Sequence, residues 1–197
     1  MVFNSISYVV PVFNEELNII NTITKIKEAF EQNDIEGLEI IFIDDGSTDK
    51  SVEIIKTFIE KGEPIKCICL TRNFGHQEAL TAGLSKAKSD LIAVLDGDLQ
   101  DPPIVINEFI KSAQKGYDVI FGVRRKRKEI FYKKFAYGIF YKLLAALSKI
   151  EIPLDSGDFC LMTRKALTML NDLPEHNRFI RGLRSYIGLK QIGIKYE

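Results

Sequence analysis

The chain has 197 residues, of which 46% are hydrophobic and 27% charged, as expected for one globular domain with its own core. Lysine plus arginine and aspartate plus glutamate number 27 each, so the charge balance does not favour a nucleic-acid partner, and none is expected. The three cysteines are too few, and odd in number, for a disulfide framework. The sequence shows neither a signal-peptide pattern nor about 18 consecutive apolar residues, so the chain as given is expected to be soluble.

Short apolar runs alternate with longer amphipathic ones along the first two thirds of the chain. The predicted strands cover 6–12, 39–43, 65–70, 91–95 and 119–123, and the predicted helices cover 15–30, 48–60, 77–87 and 104–114. Such alternation predicts right-handed crossovers and a mainly parallel sheet with helices on both faces. Cys67 and Cys69 alternate within the third strand, so we expect them on one face as buried structural thiols.

The pattern changes after residue 123. Residues 124–150 are basic and aromatic and predict a loop entering a helix, whose apolar residues recur at steps of four. A further strand at 159–163, two short helices and an edge strand at 191–196 complete the prediction. No repeat or linker interrupts the chain, which indicates a single α/β domain over residues 1–197.

Four polar segments follow four consecutive predicted strands: residues 11–15, 44–49, 72–76 and 96–98. Ligands of open parallel sheets bind beyond the carboxyl ends of the strands. One such segment is readily explained as a helix cap, but four at the same edge indicate a binding site. The chain lacks the glycine patterns of dinucleotide-binding and P-loop proteins.

Asp96-Gly97-Asp98 carries the strongest chemical signal, because two carboxylates joined by glycine can turn toward one point. Hard cations such as Mg²⁺ take one or two protein carboxylates together with substrate phosphates, so this motif predicts a Mg²⁺ or Mn²⁺ site occupied with a diphosphate. Gln100 could add a carbonyl ligand. An isolated D-x-D is more often a turn with an aspartate cap, but its place after an apolar strand favours the metal interpretation.

Residues 44–49 end a strand and open a helix, with Ser47 or Thr48 expected as the cap. A carboxylate here can accept from the imide of uracil or from N1–H and N2–H of guanine, so the segment does not distinguish the two bases. His76 and His176 are the only histidines, and we expect both to be structural or superficial.

Taken together, these segments resemble the inverting GT-A glycosyltransferases of family 2. The resemblance is greatest to the polyprenyl-phosphate glycosyltransferases, such as dolichol-phosphate mannose synthase and bactoprenol glucosyltransferases. It implies a Rossmann-like GT-A fold, with Asp98 and Gln100 holding the metal and Asp96 near the ribose or diphosphate. The nucleotide sugar would be held by Pro11, Phe13, Glu15, Asp44, Asp45, Asn73, Asp96 and Gly97.

Two later segments extend the resemblance. Residues 155–159 are similar to the D-x-G-D-F segment that carries the proposed catalytic aspartate, here Asp158, and residues 178–182 are similar to the acceptor side. With the basic run at 124–128, this implies that Arg124, Arg127, Arg178 and Arg181 bind the acceptor. A solvated loop is the alternative for the basic run. A lipid phosphate at an anionic membrane would instead be attracted by about 1 kcal/mol per basic residue.

The expected function is metal-dependent, inverting transfer of a hexose from a UDP- or GDP-linked sugar to a polyprenyl phosphate at the cytoplasmic face of a membrane. Relatives of this kind continue into transmembrane helices, so the chain is expected to be the catalytic domain of a membrane-anchored enzyme. Two alternatives are a family 2 enzyme with a saccharide or protein acceptor and a non-catalytic nucleotide-sugar-binding module. The sugar and the oligomeric state, a homo-oligomer included, are left open.

Overall fold

A seven-stranded sheet occupies the centre of the part of the chain that the computed structural model describes, residues 1–124 and 156–196. Its order is β3-β2-β1-β4-β6-β5-β7. The strands are β1 (Ser5–Val12), β2 (Gly37–Asp44), β3 (Ile65–Cys69), β4 (Leu91–Val94), β5 (Val119–Arg124), β6 (Ser156–Thr163) and β7 (Gln191–Tyr196).

Six α-helices accompany these strands in the described residues. They are α1 (Ile19–Phe30), α2 (Ser51–Glu60), α3 (His76–Lys86), α4 (Ile106–Gln114), α5 (Arg164–Asn171) and α6 (Ile180–Tyr186). A short 3₁₀ helix, Pro103–Val105, precedes α4. None of the helices in the described ranges combines the length and the apolar character required to cross a bilayer.

The predicted parallel α/β sheet is confirmed, with one exception to parallel order. β1 pairs in parallel with β2 and β4, and β7 pairs in parallel with β5 at the sheet edge. β6 lies between β4 and β5 and is antiparallel to both, with Met162 opposite Ile92 and Val119. This insertion places the end of β6 that carries Asp158 next to the carboxyl ends of β4 and β5.

Helices cover both faces of the sheet, as the sequence predicted. In β1, Tyr8 and Val10 belong to the core under α1 and α4, whereas Val9 belongs to the core under α3, α5 and α6. Gly83 lets α3 approach closely, because a Cβ there would lie 2.6 Å from Val9 Cγ1. The two cores pack against the sheet from both sides and so position its carboxyl edge.

The predicted starts of two helices were wrong by three or four residues. α1 begins at Ile19 rather than near Glu15, and α2 begins at Ser51 rather than at Thr48. The residues before α2 form contacts between loops instead of helical turns. The expected cap was also wrong, because Lys50 occupies the N-cap position of α2 without a side-chain capping bond, and Asp49 Oδ1 accepts from the Ser51 amide at 2.9 Å.

The cysteine prediction was wrong in one respect. Cys67 is half-buried and Cys69 is exposed, and their sulfurs are 3.7 Å apart. Both lie on one face, as alternation requires, but β3 is the edge strand of the sheet and Cys69 is its last residue. Burial at that position is therefore incomplete.

Candidate active site

The four polar segments come together at the carboxyl edge of the sheet, around a cavity of about 330 Å³. Seven of the eight positions expected to hold a nucleotide sugar line this cavity: Pro11, Phe13, Glu15, Asp45, Asn73, Asp96 and Gly97. Asp98 and His76 line it as well. Asp44, the eighth position, does not line the cavity. It is only 3% exposed, and its carboxylate accepts from the Ser47 amide at 3.2 Å.

Hydrogen bonds tie the loop after β1 to the loop after β2. The Asn14 amide donates to Ser47 Oγ at 2.9 Å, and Asn14 Oδ1 accepts from the Thr48 amide at 2.8 Å. Asn14 has φ 57°, a left-handed conformation that asparagine tolerates better than most residues. The Glu16 amide donates to Asp49 Oδ2 at 3.0 Å. These bonds explain why Ser47 and Thr48 do not start a helix.

Asp45 organises the loop after β3. Its carboxylate is 5% exposed and accepts from the amides of Phe74 at 2.7 Å and Gly75 at 2.9 Å. Gly46, with φ +78°, is required at this contact, because a Cβ there would lie 2.6 Å from the carbonyl carbon of Arg72. Both carboxylate oxygens of Asp45 thus accept hydrogen bonds from backbone amides. A direct role of Asp45 in nucleotide binding stays a prediction.

The D-x-D loop is packed tightly on β1. A Cβ at Gly97 would lie 2.9 Å from Val12 Cγ1, so glycine is needed for the close approach. Asp98 Oδ1 accepts from the Gln100 amide at 3.1 Å, and Leu99 between them has φ 57°. Such a conformation is uncommon for a residue other than glycine and costs of order 1 kcal/mol or more. The loop therefore holds Asp98 and Gln100 in a conformation that the surrounding contacts must maintain.

The residues of this loop fit a hard divalent cation whose coordination is completed by phosphate oxygens. No group of three histidine, cysteine, aspartate or glutamate side chains with metal-binding geometry occurs in residues 1–124 or 156–196. A cation bound by one or two carboxylates, a glutamine carbonyl and a diphosphate does not need one. Burial raises the pKa of Asp96, and although His76 lowers it, the carboxylates of Asp101, Asp158 and Asp98 raise it further. That excess of negative charge favours a bound cation.

His76 stands between the D-x-D loop and Asp158. Its Nε2 is 3.3 Å from Asp158 Oδ2 and 3.8 Å from Asp96 Oδ1. The Asp158 side chain is only 13% exposed, and Arg181 Nη2 lies 3.5 Å from the same oxygen. His76 is exposed, in keeping with the expectation of a structural or superficial histidine, but the sequence analysis did not predict its contacts with two carboxylates of the candidate site. Its place in the polar segment after β3 was the available signal.

The pKa values of this pair move in opposite directions. Burial raises the pKa of Asp158, but the hydrogen bond from His76 and the charge of Arg181 outweigh it, so the pKa lies below its usual range. The hydrogen bond to Asp158 raises the pKa of His76, against the effect of burial, and the charge of Asp96 raises it further. Near neutral pH the pair is therefore biased toward imidazolium and carboxylate.

We expect Asp158→Asn to lower the pKa of His76, because the amide offers no negative charge to the imidazolium. A His76 pKa above its usual range means that the proton is bound more tightly in the folded protein, and removing the carboxylate reverses part of that gain. A titration of the imidazole proton signals by NMR measures the change, with His176→Gln used to assign the two histidines. A His76 pKa unchanged by the substitution would contradict the pairing.

The four arginines expected at the acceptor differ in placement. Arg181 contacts Asp158, whereas Arg178 donates to the carbonyl of Leu170 at the end of α5. Arg124 is ion-paired with Asp101. Arg127 lies outside the described residues. The role of all four in acceptor binding stays a prediction.

Sequence reasoning also missed Arg184. Arg184 is 2% exposed, and its guanidinium donates to the carbonyls of Gly157 at 3.1 Å and Asp158 at 3.4 Å. It thereby fixes the backbone of β6 next to the Asp158 carboxylate. No local sequence pattern distinguishes it from the neighbouring Arg181. The two differ in their contacts with β6, since Arg184 donates to backbone carbonyls and Arg181 contacts the Asp158 carboxylate.

Comparison with known proteins agrees with this geometry. The sequence model of "Glycosyl transferase family 2" matches residues 7–170, which is most of the chain. The chain belongs to this family. It is 46% identical over 191 residues to the glycosyltransferase YkcC of Bacillus subtilis (strain 168), covering 96% of this chain and 59% of YkcC.

Two further comparisons concern a sequence relative and a solved structure. A prophage bactoprenol glucosyl transferase homolog of Escherichia coli (strain K12) is 38% identical over 192 residues, covering 97% of this chain and 62% of the relative. The mannosyltransferase PcManGT of Pyrobaculum calidifontis, solved with GDP-Man and Mn²⁺, superposes with a TM-score of 0.68 at 20% identity, covering 96% of this chain and 54% of that one. The expected GT-A fold is confirmed. The chain spans about three fifths of the length of these sequence relatives.

Proposed function

We propose that this chain is the catalytic domain of a metal-dependent, inverting glycosyltransferase that moves a hexose from a nucleotide-diphosphate sugar to a polyprenyl phosphate at a membrane surface. The observation that carries the proposal is the position of His76, which contacts Asp96 on the donor side and Asp158 on the other. The donor loop and the proposed catalytic aspartate thus meet at one side chain. The bactoprenol glucosyl transferase homolog supports the acceptor class.

In this proposal the donor lies across the strand ends. Phe13 is exposed at the mouth of the cavity and presents an aromatic face for the base, and Glu15 offers a carboxylate to uracil or guanine. The buried Asp44 would act on the nucleoside only indirectly, through the loop that it holds at Ser47. Asp98 and Gln100 would hold Mg²⁺ or Mn²⁺, which neutralises charge on the departing diphosphate. The mannosyltransferase solved with GDP-Man and Mn²⁺ supports both the donor class and the metal.

In this proposal the sugar is transferred by displacement at the anomeric carbon. An acceptor phosphate oxygen forms a bond to the anomeric carbon as the bond from that carbon to the diphosphate oxygen breaks, and the nucleoside diphosphate leaves with the electron pair. Attack from the face opposite the leaving group inverts the anomeric centre. Asp158, kept ionised by His76 and Arg181, orients the acceptor or the sugar hydroxyls.

The destination of the sugar separates this proposal from a family 2 enzyme with a saccharide or protein acceptor. The test supplies radiolabelled nucleotide sugar, Mn²⁺ and vesicles that contain a polyprenyl phosphate, and then extracts the product into organic solvent. Label in the organic phase supports the lipid acceptor, whereas label on a saccharide or protein overturns it. A non-catalytic binding module would neither transfer nor hydrolyse the donor.

The basic run supplies a second test of the acceptor. We expect Arg125→Ser, Arg127→Ser and Lys128→Ser together to weaken vesicle binding and acceptor use while leaving nucleotide binding unchanged. Attraction to anionic headgroups is worth about 1 kcal/mol for each basic residue and is screened by salt. Co-sedimentation with anionic vesicles at low and high salt measures it. Binding indifferent to both the substitutions and salt would restore the solvated-loop interpretation.

A further inference from the structure

An ionic cluster around the buried Asp101 connects the D-x-D loop to the last strand of the sheet. We define the Asp101 cluster as Asp101, Arg124 and Tyr196. Asp101 is 4% exposed, and its Oδ1 accepts from Arg124 Nε at 2.9 Å and from the Tyr196 hydroxyl. Arg124 Nη2 lies 2.7 Å from the same oxygen. The cluster thus joins the loop after β4 to the ends of β5 and β7.

The Tyr196 side of this cluster is packed against another aromatic ring, and that packing needs a glycine. The Tyr196 ring contacts Phe159 edge-on at a centroid distance of 5.3 Å, and Phe159 follows Asp158 in β6. A Cβ at Gly122 would lie 2.6 Å from both rings, so glycine alone lets them meet over β5. Burial and the neighbouring carboxylate raise the pKa of Tyr196 to about 12, which keeps its hydroxyl a proton donor to Asp101.

The third nitrogen of the Arg124 guanidinium, Nη1, contacts the residue that follows the D-x-D loop's Leu99. Arg124 Nη1 donates at 3.2 Å to Gln100 Oε1, the oxygen that the proposed function assigns to the cation. Leu99, in the left-handed region, separates Gln100 from Asp98. A loop in that conformation keeps its geometry only where the surrounding structure determines it. Asp101 and Arg124 provide such contacts immediately after the loop.

We propose that Arg124 is a positioning residue of the metal site: held by Asp101 and Tyr196, it orients Gln100 and the 98–101 loop toward the cation and the diphosphate. This inference rests on the proposed function, because it takes the D-x-D loop to be the metal site. It assigns Arg124 to the donor side rather than to the direct acceptor contact that the sequence predicted. It also gives Tyr196, from the opposite end of the chain, a role in donor binding.

The test measures Mn²⁺ affinity in the presence of UDP and, separately, GDP, from the electron paramagnetic resonance signal of free Mn²⁺. Partners of metal ligands typically contribute about 10- to 100-fold to metal affinity, so we expect Tyr196→Phe and Arg124→Lys each to weaken Mn²⁺ binding by about 10-fold. Tyr117→Phe, at the opposite end of β5, is the matched control and should leave the affinity unchanged. Thermal unfolding of each variant checks the fold. If Arg124→Lys fails to fold, Tyr196→Phe still tests the inference, because it retains the aromatic ring and removes only the hydroxyl.

A double-variant comparison separates positioning from a general structural effect. If Arg124 acts through Gln100, adding Arg124→Lys to Gln100→Ala weakens Mn²⁺ binding much less than Arg124→Lys does alone. Full additivity, or Mn²⁺ affinities of Tyr196→Phe and Arg124→Lys equal to that of the unmodified chain, would overturn the inference while the proposed function stands. Absence of nucleotide-dependent Mn²⁺ binding by the unmodified chain would instead overturn the proposed function itself.

Discussion

Replacing Asp98 with alanine is expected to weaken metal-dependent binding of nucleotide sugar by more than about 100-fold, since losing even an indirect partner of a metal ligand costs 10- to 100-fold. Asp98 is half-buried in a loop that Gly97 packs against β1, and its side chain contributes one hydrogen bond, from the Gln100 amide. Its removal should therefore spare the fold. Calorimetry with the donor and Mn²⁺ measures the loss.

Two variants calibrate this expectation. Gln100→Ala should cause a smaller loss, because its neutral carbonyl oxygen is a weaker ligand than a carboxylate. Asp34→Ala removes an exposed carboxylate near the carboxyl end of α1, beside a separate cavity, and should bind donor like the unmodified chain. Unchanged donor affinity of Asp98→Ala in the presence of metal would remove Asp98 from the metal site.

The second large effect concerns Asp158, where alanine is expected to reduce turnover by about 10²-fold, the size of effect typical when a reacting group is misplaced. Asp158→Asn should retain more activity. A phosphate monoester has its second pKa near 6, so a lipid phosphate is largely a dianion at neutral pH and needs no base. The amide oxygen of asparagine can still accept from His76 or Arg181, which preserves the positioning role.

Turnover of the unmodified chain, Asp158→Asn and Asp158→Ala at saturating acceptor, compared from pH 6 to 9, distinguishes positioning from base catalysis. If Asp158 positions the acceptor, the rate of the unmodified chain should not follow the titration of a carboxylate across that range. The low pKa of Asp158 predicts this, because the carboxylate is already ionised at pH 6. Equal inactivity of Asp158→Asn and Asp158→Ala, together with a carboxylate-like titration of the rate, would show that Asp158 is a base.

Local patterns predicted most of the sheet and the four segments that line the cavity. Strands 6–12 and 91–95 were recognisable because buried parallel strands are continuous apolar runs. Their order along the chain also fixed the shared edge at which Phe13, Asp45 and Asp98 meet. The antiparallel direction of β6 carries no local signal, because it depends on which neighbours the strand joins.

Sequence patterns did not predict contacts between segments that are far apart in the chain. His76 and Asp158 are 82 positions apart, and Asp101 and Tyr196 are 95 apart. A lone histidine or a tyrosine in an edge strand is most often structural, so no sequence pattern indicated the contacts that His76 makes with Asp96 and Asp158. The helix starts were misplaced for a similar reason, since Ser47 and Thr48 bond to Asn14 across two loops rather than capping α2.

The central claim is that the strand-end cavity binds a nucleotide-diphosphate sugar through a divalent cation. Thermal unfolding of the 197-residue chain with a panel of nucleoside diphosphates and nucleotide sugars, each with Mg²⁺, with Mn²⁺ and with a chelator, tests it most directly. A ligand present at 100 times its dissociation constant stabilises the folded state by about 2.7 kcal/mol. We expect stabilisation of that size by a uridine or guanosine diphosphate ligand with metal and its loss with chelator. Equal stabilisation in both conditions, or none by any nucleotide, would contradict the claim.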